Sequence, residues 1–409
     1  MRLDLDIAPA LLFAATSNPV HLPLELLLVF GVAKLLGELM ERLGQPGIVG
    51  EILAGVVLGP SILGWVQPDQ VLAALSELGV MFLLFVVGLE VKSSELLRVG
   101  GTAMLVATLG VVLPFGVGYA IMAAIHASWV EALFVGAAMV ATSVGITAQV
   151  LAAKGLLQER ASKVILAAAV IDDVLGLLVL AFVSSVAKGD VNVASLVTTF
   201  VMAAAFTVLI AKYGSHALGR VIPRVEQKLT STEAQFNLAL LLLFSLSVLA
   251  VWLGVAAIVG AFLAGMALSE TVNRRVHDLA QGINELLVPF FLAGIGIHLN
   301  ISVFGSAATL WLSVGVLIAA IVTKLIGCGV GAWRLGRADM LRVGVGMIPR
   351  GEVGMVVAQI GLGMGVITES VYAVVVFMTV ATTLVAPPML KFAYRKSPRG
   401  LPEEKFSLS

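Results

Sequence analysis

The stretch LAAAVIDDVLGLLVLAF, residues 166–182, carries two adjacent aspartates, Asp172 and Asp173, in the middle of an otherwise apolar run. A helix needs about 17–25 apolar residues to span a bilayer, so we expect both carboxylates near the membrane midplane. A carboxylate there costs at least a few kcal/mol, and two neighbours repel each other. The pair therefore predicts a site for a cation, for protons, or for both in competition.

The rest of the chain has the composition of a membrane protein. Of its 409 residues, 59% are hydrophobic and 12% are charged, and the mean hydropathy is +1.06. Soluble domains carry about 25% charged residues. We predict an all-α polytopic membrane protein that is not an enzyme, with no resident cofactor and no nucleic-acid partner. The single cysteine, Cys328, excludes a disulfide framework, and no GxxxxGK[ST] phosphate-binding motif occurs.

We predict about thirteen membrane-spanning helices, the last of which ends near Tyr394. Basic residues cluster in alternate connections, whereas the opposite side holds only Arg2 and Lys188. The positive-inside rule then predicts a cytoplasmic C-terminus and an N-terminus outside, which requires an odd number of spans. The predicted spans start, within about three residues, near Leu24, Ile48, Val71, Thr102, Val130, Ala161, Val193, Ala234, Val255, Ile283, Ser306, Leu341 and Ser370.

Two consecutive spans recur in the second half of the chain. GEILAGVVLGP from Gly50 is similar to GAFLAGMALSE from Gly260, and VMFLLFVVGLE from Val80 is similar to VPFFLAGIGIH from Val288. The separations are nearly equal, at 210 and 208 residues (260 − 50 and 288 − 80). The predicted topology makes the copies inverted, pairing spans one to six with eight to thirteen. Helices rich in glycine and alanine also resemble each other by chance, so the repeat is a hypothesis.

Inverted repeats in transporters often carry broken helices at the midplane, and two spans have the composition to break. Span five contains ATSVGITAQ, where Thr142 and Ser143 interrupt the apolar run. Span twelve contains GMIPRGEVGMVVAQIG, where Pro349 removes a backbone donor. We predict that these two discontinuous helices cross. Arg350 and Glu352 would neutralise the half-helix dipoles there, an interpretation we favour over direct cation contact.

Asp172 and Asp173 differ in direction by about 100° on a helix, so one can meet a neighbouring helix while the other faces a cavity. Lys324, inside span eleven, is the predicted partner, because a buried lysine without an anion should lose its proton. A fixed ion pair that only holds helices together is the structural alternative. A carboxylate shared between H⁺ and a metal cation binds one at a time, which suffices for antiport.

Two charged residues of span one predict a local pair. Lys34 and Glu38 are four residues apart, a spacing at which helical side chains interact. Glu51 begins span two and is expected to favour the N-terminus of its helix.

The joint order of these motifs resembles a known family. TSVGIT, IDDV, Lys324, PRGEVG and the LLFVVGLE of span three are similar to the monovalent cation/proton antiporter-2 family, over about residues 24–394. The Asp-Asp form resembles the NapA-type bacterial Na⁺/H⁺ antiporters, whereas Kef-type K⁺ efflux proteins usually have Gln-Asp.

The resemblance implies roles for the site residues. Asp173 would be the main cation and proton carrier, and Asp172 would pair with Lys324 when no cation is bound. Thr142 and Ser143 would supply hydroxyl or backbone oxygens, which suit hard cations such as Na⁺ and Li⁺. The two aspartates would thus hold the transported metal ion.

The resemblance also implies a NhaA/NapA-like fold in a bacterial inner membrane. An electrogenic elevator mechanism would slide a core ion-transport domain against a scaffold that forms a homodimer. The implied parts are the scaffold at 24–91 and 255–299 with the span 234–253, the core at 102–187 and 306–394, a linker helix at 193–214 and a cytoplasmic tail at 395–409.

Three alternatives remain at this point. A K⁺/H⁺ antiporter is the nearest, since cavity size and dehydration decide selectivity. An intramembrane aspartyl protease needs its carboxylates on different helices, whereas Asp172 and Asp173 share one. A cation channel needs a continuous pore, which a buried lysine disfavours.

Overall fold

The computed structural model of the protein describes residues 21–43, 45–188, 193–226, 233–299 and 306–395. All regular secondary structure in these ranges is helical. The elements are α1 (His21–Arg42), α2 (Gly47–Leu58), α3 (Gln70–Glu90), α4 (Ser93–Ala124), α5 (Trp129–Ala138), α6 (Val144–Ala153), α7 (Arg160–Lys188), α8 (Val193–Glu226), α9 (Ala234–Trp252), α10 (Ala257–Leu268), α11 (Arg274–Ile297), α12 (Ala307–Gly331), a 3₁₀ turn (Trp333–Leu335), α13 (Arg337–Gly346), α14 (Glu352–Gly363) and α15 (Glu369–Tyr394).

The lengths and composition of the helices are those of a multi-pass membrane protein. Eight helices of the described ranges are long and apolar enough to cross a membrane. By contrast, α2 and α10 have 12 residues each, and at 1.5 Å per residue they are about 18 Å long. Both are shorter than the predicted spans. The dipeptide Gly59-Pro60 follows α2 and ends it, because a residue before proline is disfavoured in the helical conformation.

Three of the described helices begin more than three residues before the predicted start of their span, among them α13, at Arg337 rather than near Leu341. Helix α4 begins at Ser93 rather than near Thr102, and α11 begins at Arg274 rather than near Ile283. Hydropathy detects where an apolar run begins, whereas a helix continues through polar turns as long as its backbone bonds are satisfied. Asn273 caps α11 by accepting a hydrogen bond from the backbone N–H of Val276 at 3.2 Å.

Spans five and twelve are both interrupted. Helix α5 ends at Ala138 and α6 begins at Val144, while α13 ends at Gly346 and α14 begins at Glu352. Pro349 lies in the second interruption. Since no helical hydrogen bond is formed there, the missing N–H of proline costs nothing at this position. Each interruption is five residues long, so backbone groups at both places need partners outside their own helix.

The helices pack in two groups. Helix α3 packs against α10 and α11, α2 against α1 and α11, and α9 against α10. In the second group α4 packs against α5, α7 and α12, while α12 packs against α13 and α15 and α14 packs against α5 and α15. The long helix α8 contacts members of both groups, namely α10 and α9 on one side and α7 and α4 on the other.

Glycines allow the closest helix contacts, and these contacts occur in matching pairs. A β-carbon at Gly50 would lie 2.1 Å from the carbonyl oxygen of Leu36 on α1. A β-carbon at Gly260 would lie 2.4 Å from the carbonyl oxygen of Leu246 on α9. The two glycines are 210 residues apart (260 − 50), and so are the two leucines (246 − 36). The packing of α2 on α1 thus has the same residue spacing as that of α10 on α9.

Two further glycines of this kind give a test of the packing. Gly55→Ala and Gly265→Ala should each lower stability by about 1–3 kcal/mol, because overpacking forces backbones apart. The added β-carbons would lie 1.8 Å from the carbonyl oxygen of Ala293 and 2.1 Å from that of Phe85. Gly282→Ala, with open space around it on α11, should be neutral or stabilising by up to about 1 kcal/mol. Thermal unfolding in detergent measures all three, and equal melting temperatures for them would contradict the packing.

The charged residues of α1 pair differently from the prediction. Lys34 donates to Glu51 on α2 at 2.9 Å, and Arg42 donates to Glu38 at 2.9 Å. The expected Lys34–Glu38 pair is therefore wrong. Glu51 is the more buried carboxylate, with 11% of its side chain exposed against 58% for Glu38, so it gains more from a cation.

Candidate ion-binding site at the crossing of two broken helices

The interruptions of spans five and twelve lie against each other. The backbone N–H of Ser143 donates to the carbonyl oxygen of Pro349 at 2.8 Å. A β-carbon at Gly351 would lie 2.5 Å from both the β-carbon and the hydroxyl oxygen of Ser143. Only glycine at position 351 lets the two extended segments approach this closely, so the crossing depends on it.

Hydrogen-bond donors from other segments lie at or just beyond the C-terminal ends of both half-helices at the crossing. The guanidinium of Arg350 donates to the carbonyl oxygens of Val140 and Ala141, just after α5, at 3.3 and 3.2 Å. The hydroxyl of Thr147 donates to the carbonyl oxygen of Gly346, the last residue of α13, at 2.7 Å. A positive charge at a helix C-terminus is favourable. Arg350 therefore lies beside the C-terminal end of α5, and its dipole role stays a prediction.

Glu352 was assigned the same role, and its backbone begins α14. Its side chain lies outside the part of the chain that the structure describes, so its dipole role stays a prediction.

Asp172 and Asp173 lie in α7, and both are buried, with 0% and 6% of the residue exposed. The ammonium of Lys324, on α12, lies 3.1 and 3.3 Å from the two carboxylate oxygens of Asp172. The side chains of this ion pair are fully buried. The guanidinium of Arg350 donates to the carbonyl oxygen of Ala320, one turn before Lys324 on α12, at 3.2 Å, so the pair lies close to the helix crossing.

Thr142 and Ser143 bring hydroxyl oxygens to the crossing. Both residues are buried, and neither hydroxyl has a hydrogen-bond partner within the described part of the chain. Buried polar groups are usually hydrogen-bonded, so two such oxygens in one unwound segment need an explanation. They are available to coordinate a hard cation or to form hydrogen bonds with a water molecule.

A cavity of about 410 Å³ lies between the two helix groups. Its walls come from α3, α10 and α11 on one side and from α14 and α15 on the other. Two of its lining residues, Val80 and Phe291, would be 3.2 and 3.4 Å from a β-carbon at Gly145, in the first turn of α6. Neither Asp172 nor Asp173 lines the cavity. Its polar lining is supplied by Ser76, Glu77, His298, Gln359 and Tyr372.

Sequence reasoning missed two residues of this region. The backbone N–H of Arg350 donates to the hydroxyl of Thr382 at 3.1 Å, and the hydroxyl of Thr383 donates to the carbonyl oxygen of Arg350 at 2.8 Å. A signal was present, because Thr379, Thr382 and Thr383 share one helix face in the otherwise apolar span thirteen. Threonine is common enough in membrane helices that this signal carried no weight alone.

Broken helices that cross beside buried ionisable groups define a class of protein, the secondary ion transporters. The family comparison agrees with that class. Residues 27–396 match the sodium/hydrogen exchanger (transmembrane) family, and the chain belongs to this family of transmembrane antiporters. The resemblance to cation/proton antiporters is thereby confirmed. Since the family and its relatives are transporters, the protease alternative loses its basis.

The chain is similar to curated relatives along nearly its whole length. The Na⁺/H⁺-K⁺ antiporter GerN of Bacillus cereus is 34% identical over 389 residues, covering 93% of this chain and 98% of the relative. The high-affinity Na⁺/H⁺ antiporter NhaS3 of Synechocystis is 33% identical, covering 99% and 95%. An electron-microscopy structure of the antiporter MjNhaP1 from Methanocaldococcus jannaschii superposes with a TM-score of 0.71, at 16% identity, covering 92% and 96%. At that identity the superposition shows a shared fold.

Proposed function

We propose that this protein exchanges Na⁺ or Li⁺ for H⁺ across a bacterial inner membrane. The observation that carries the proposal is the fully buried Lys324–Asp172 pair, 3.1 Å apart, with Asp173 as its neighbour on α7. The hydroxyls of Thr142 and Ser143, which have no hydrogen-bond partner among the described residues, support it, as do relatives whose names state Na⁺/H⁺ antiport. K⁺/H⁺ antiport is the second candidate, because the name of GerN includes K⁺.

The mechanism rests on competition at one carboxylate. Asp173 binds either a proton or a cation, because protonation removes the charge that the cation needs. Oxygens of Thr142 and Ser143 complete the coordination of the cation. When the cation displaces Lys324 from Asp172, the ammonium of Lys324 loses its proton, because a buried lysine without an anion disfavours the charged form. One proton from Lys324 and one from Asp173 then leave for each bound cation, so transport is electrogenic.

Alternating access would come from movement of one helix group against the other. In this proposal the core, at 102–187 and 306–394, slides against a scaffold at 24–91 and 255–299 with the span 234–253. The cavity of about 410 Å³ between the two helix groups supports this division. The helix α8 contacts both groups and suits the linker role assigned to 193–214, although it continues to Glu226. The scaffold would also form the contact of a homodimer.

Thirteen spans in two inverted repeats complete the proposed architecture. The count is the eight long helices, α1, the short helices α2 and α10, and the two interrupted spans α5–α6 and α13–α14. The matched glycine contacts, 210 residues apart, support the repeat. An odd number of spans keeps the proposed C-terminus in the cytoplasm and the N-terminus outside. The proposed tail, 395–409, lies outside the described residues apart from Arg395.

Proteoliposomes with an imposed proton gradient test the substrate. Na⁺ and Li⁺ should each dissipate the gradient in a saturable way, because both are hard cations suited to carboxylate and hydroxyl oxygens. K⁺ is the comparison ion under the same ionic strength. A clear response to K⁺ with none to Na⁺ or Li⁺ would replace the assignment by K⁺/H⁺ exchange. Cation flux that ignores the pH gradient would indicate a channel.

A further inference from the structure

The residue at the centre of the crossing, Arg350, is held by side chains of a third helix. Thr382 and Thr383 on α15 are fully buried, with 0% exposed. The hydroxyl of Thr382 accepts from the backbone N–H of Arg350 at 3.1 Å and lies 3.0 Å from the carbonyl oxygen of Thr379, to which it donates. The hydroxyl of Thr383 lies 2.8 Å from the carbonyl oxygens of both Arg350 and Thr379. Arg350 belongs to no helix, so these bonds replace helical ones.

The spacing of the chain relates these threonines to the aspartates. Thr382 and Thr383 lie 210 residues after Asp172 and Asp173 (382 − 172 and 383 − 173), and Arg350 lies 208 residues after Thr142 (350 − 142). The separation of 210 is that of the glycine contacts described above, and 208 is that of the similar segments from Val80 and Val288 (288 − 80).

The same two separations recur where α5 packs on α4 and α13 packs on α12. A β-carbon at Gly136 would lie 2.8 Å from the carbonyl oxygen of Phe115, and one at Gly344 would lie 2.5 Å from that of Leu325. The glycines are 208 residues apart (344 − 136), and the carbonyl residues are 210 apart (325 − 115). The correspondence therefore extends to the helices that carry the site.

The two halves differ in hydrogen-bonding chemistry at equivalent positions. A hydroxyl both donates and accepts, so a pair of hydroxyls can satisfy the N–H and the C=O of one unwound residue. An ionised carboxylate only accepts, so it can bond the N–H of an unwound residue but not its C=O. The carboxylate and that carbonyl oxygen can be joined only by a proton or a cation between them. A carboxylate at 382 or 383 would also attract the guanidinium of Arg350 away from Val140 and Ala141. Neutral threonines avoid that competition.

We propose that Thr382 and Thr383 are positioning residues for the transport site, a role that rests on the proposed function. They fix the backbone of Arg350, and with it Pro349, whose carbonyl oxygen accepts from the N–H of Ser143. Through that bond they hold the segment that presents the Thr142 and Ser143 hydroxyls. In the second half of the repeat, Thr382 and Thr383 thus keep their hydrogen bonds throughout the transport cycle. In the first half, the aspartates at the equivalent positions bind and release the cation and the proton.

The test is a Na⁺ titration of full-length protein in proteoliposomes at several pH values. Thr383→Val removes the hydroxyl at nearly constant volume and should raise the KM for Na⁺ about tenfold, the effect of one lost buried hydrogen bond. The pH profile should shift with it, while the maximal rate changes less. Thr383→Ser restores a hydroxyl and should recover most of the wild-type KM.

Thr379→Val is the matched control. Thr379 is on the same helix with 0% exposed, and its hydroxyl has no hydrogen-bond partner within the described residues. Its KM and pH profile should equal those of the wild type. A structural role alone would lower the yield and thermal stability of Thr383→Val without changing the KM of the folded protein.

A wild-type KM and pH profile for Thr383→Val, or changes no larger than those of Thr379→Val, would overturn the positioning role while leaving the proposed function intact. If the wild-type protein exchanges protons for K⁺ but not for Na⁺, the Na⁺ assignment is wrong. The same variants are then titrated with K⁺. If Thr383→Val does not fold, Thr382→Val and Thr382→Ser decide the question. The Na⁺ concentration that gives half of the maximal rise in melting temperature provides a readout independent of transport.

Discussion

Asp173→Asn should abolish Na⁺-dependent proton movement in proteoliposomes. Asparagine keeps the shape of the side chain but neither ionises nor carries an exchangeable proton, so the competition between H⁺ and cation disappears. Removing the charge opposite a buried cation costs about 3–5 kcal/mol, which corresponds to a loss of Na⁺ affinity of about a hundredfold or more. The rate of gradient dissipation over a Na⁺ titration is the measurement.

Asp278→Asn is the control for this variant, because Asp278 is exposed on α11. It makes the same chemical change away from the site and should transport like the wild type. Asp173→Asn should also stay folded, since a neutral amide in a buried site is less costly than a carboxylate. Exchange by Asp173→Asn with a normal rate and KM would remove Asp173 from the carrier role.

Lys324→Met should have the second-largest effect, and on two properties at once. The variant leaves Asp172 as an uncompensated charge with 0% of its side chain exposed, which should lower stability by about 3–5 kcal/mol. It should also reduce the charge moved in each cycle, because Asp172 then has no cation to exchange against. Thermal unfolding reports the first effect, and transient currents on a supported membrane report the second.

A double variant separates these effects. Asp172→Leu together with Lys324→Met replaces the ion pair by apolar side chains, which is often neutral or stabilising. Stability should therefore return, while the charge moved per cycle stays low. If the double variant moves charge like the wild type, the pair only holds helices together, and the structural alternative is correct.

The residues of the site differ in how far they could be predicted. Asp172, Lys324 and Arg350 could be singled out because charges within long apolar runs are rare and costly, so each one needs a reason. The break at Pro349 was predictable from the missing N–H alone. The five-residue interruption around Thr142 and Ser143 was less certain, because threonine and serine also occur inside continuous helices.

The partners of those residues were harder to predict. The helical spacing of four residues predicted that Lys34 pairs with Glu38, yet the partner of Lys34 is Glu51 on the next helix. Arg350 was expected to compensate a dipole, but the carbonyl oxygens of Val140 and Ala141 that accept from it are known only from the structure.

By itself, the sequence determined the membrane environment, the place of the carboxylates within a long apolar helix and the two positions where helices break. These properties follow from hydropathy and backbone chemistry, which are local along the chain. Only the tertiary structure decided which groups meet. Lys324 was predicted as the partner of the aspartates because it is a charge of opposite sign within an apolar run. The contacts of Ser143 with Pro349 and of Thr383 with Arg350 were not predicted, since they join backbone and hydroxyl groups from distant parts of the chain. A neutral partner on another segment has neither a fixed spacing in sequence nor a charge that marks it, so only packing identifies it.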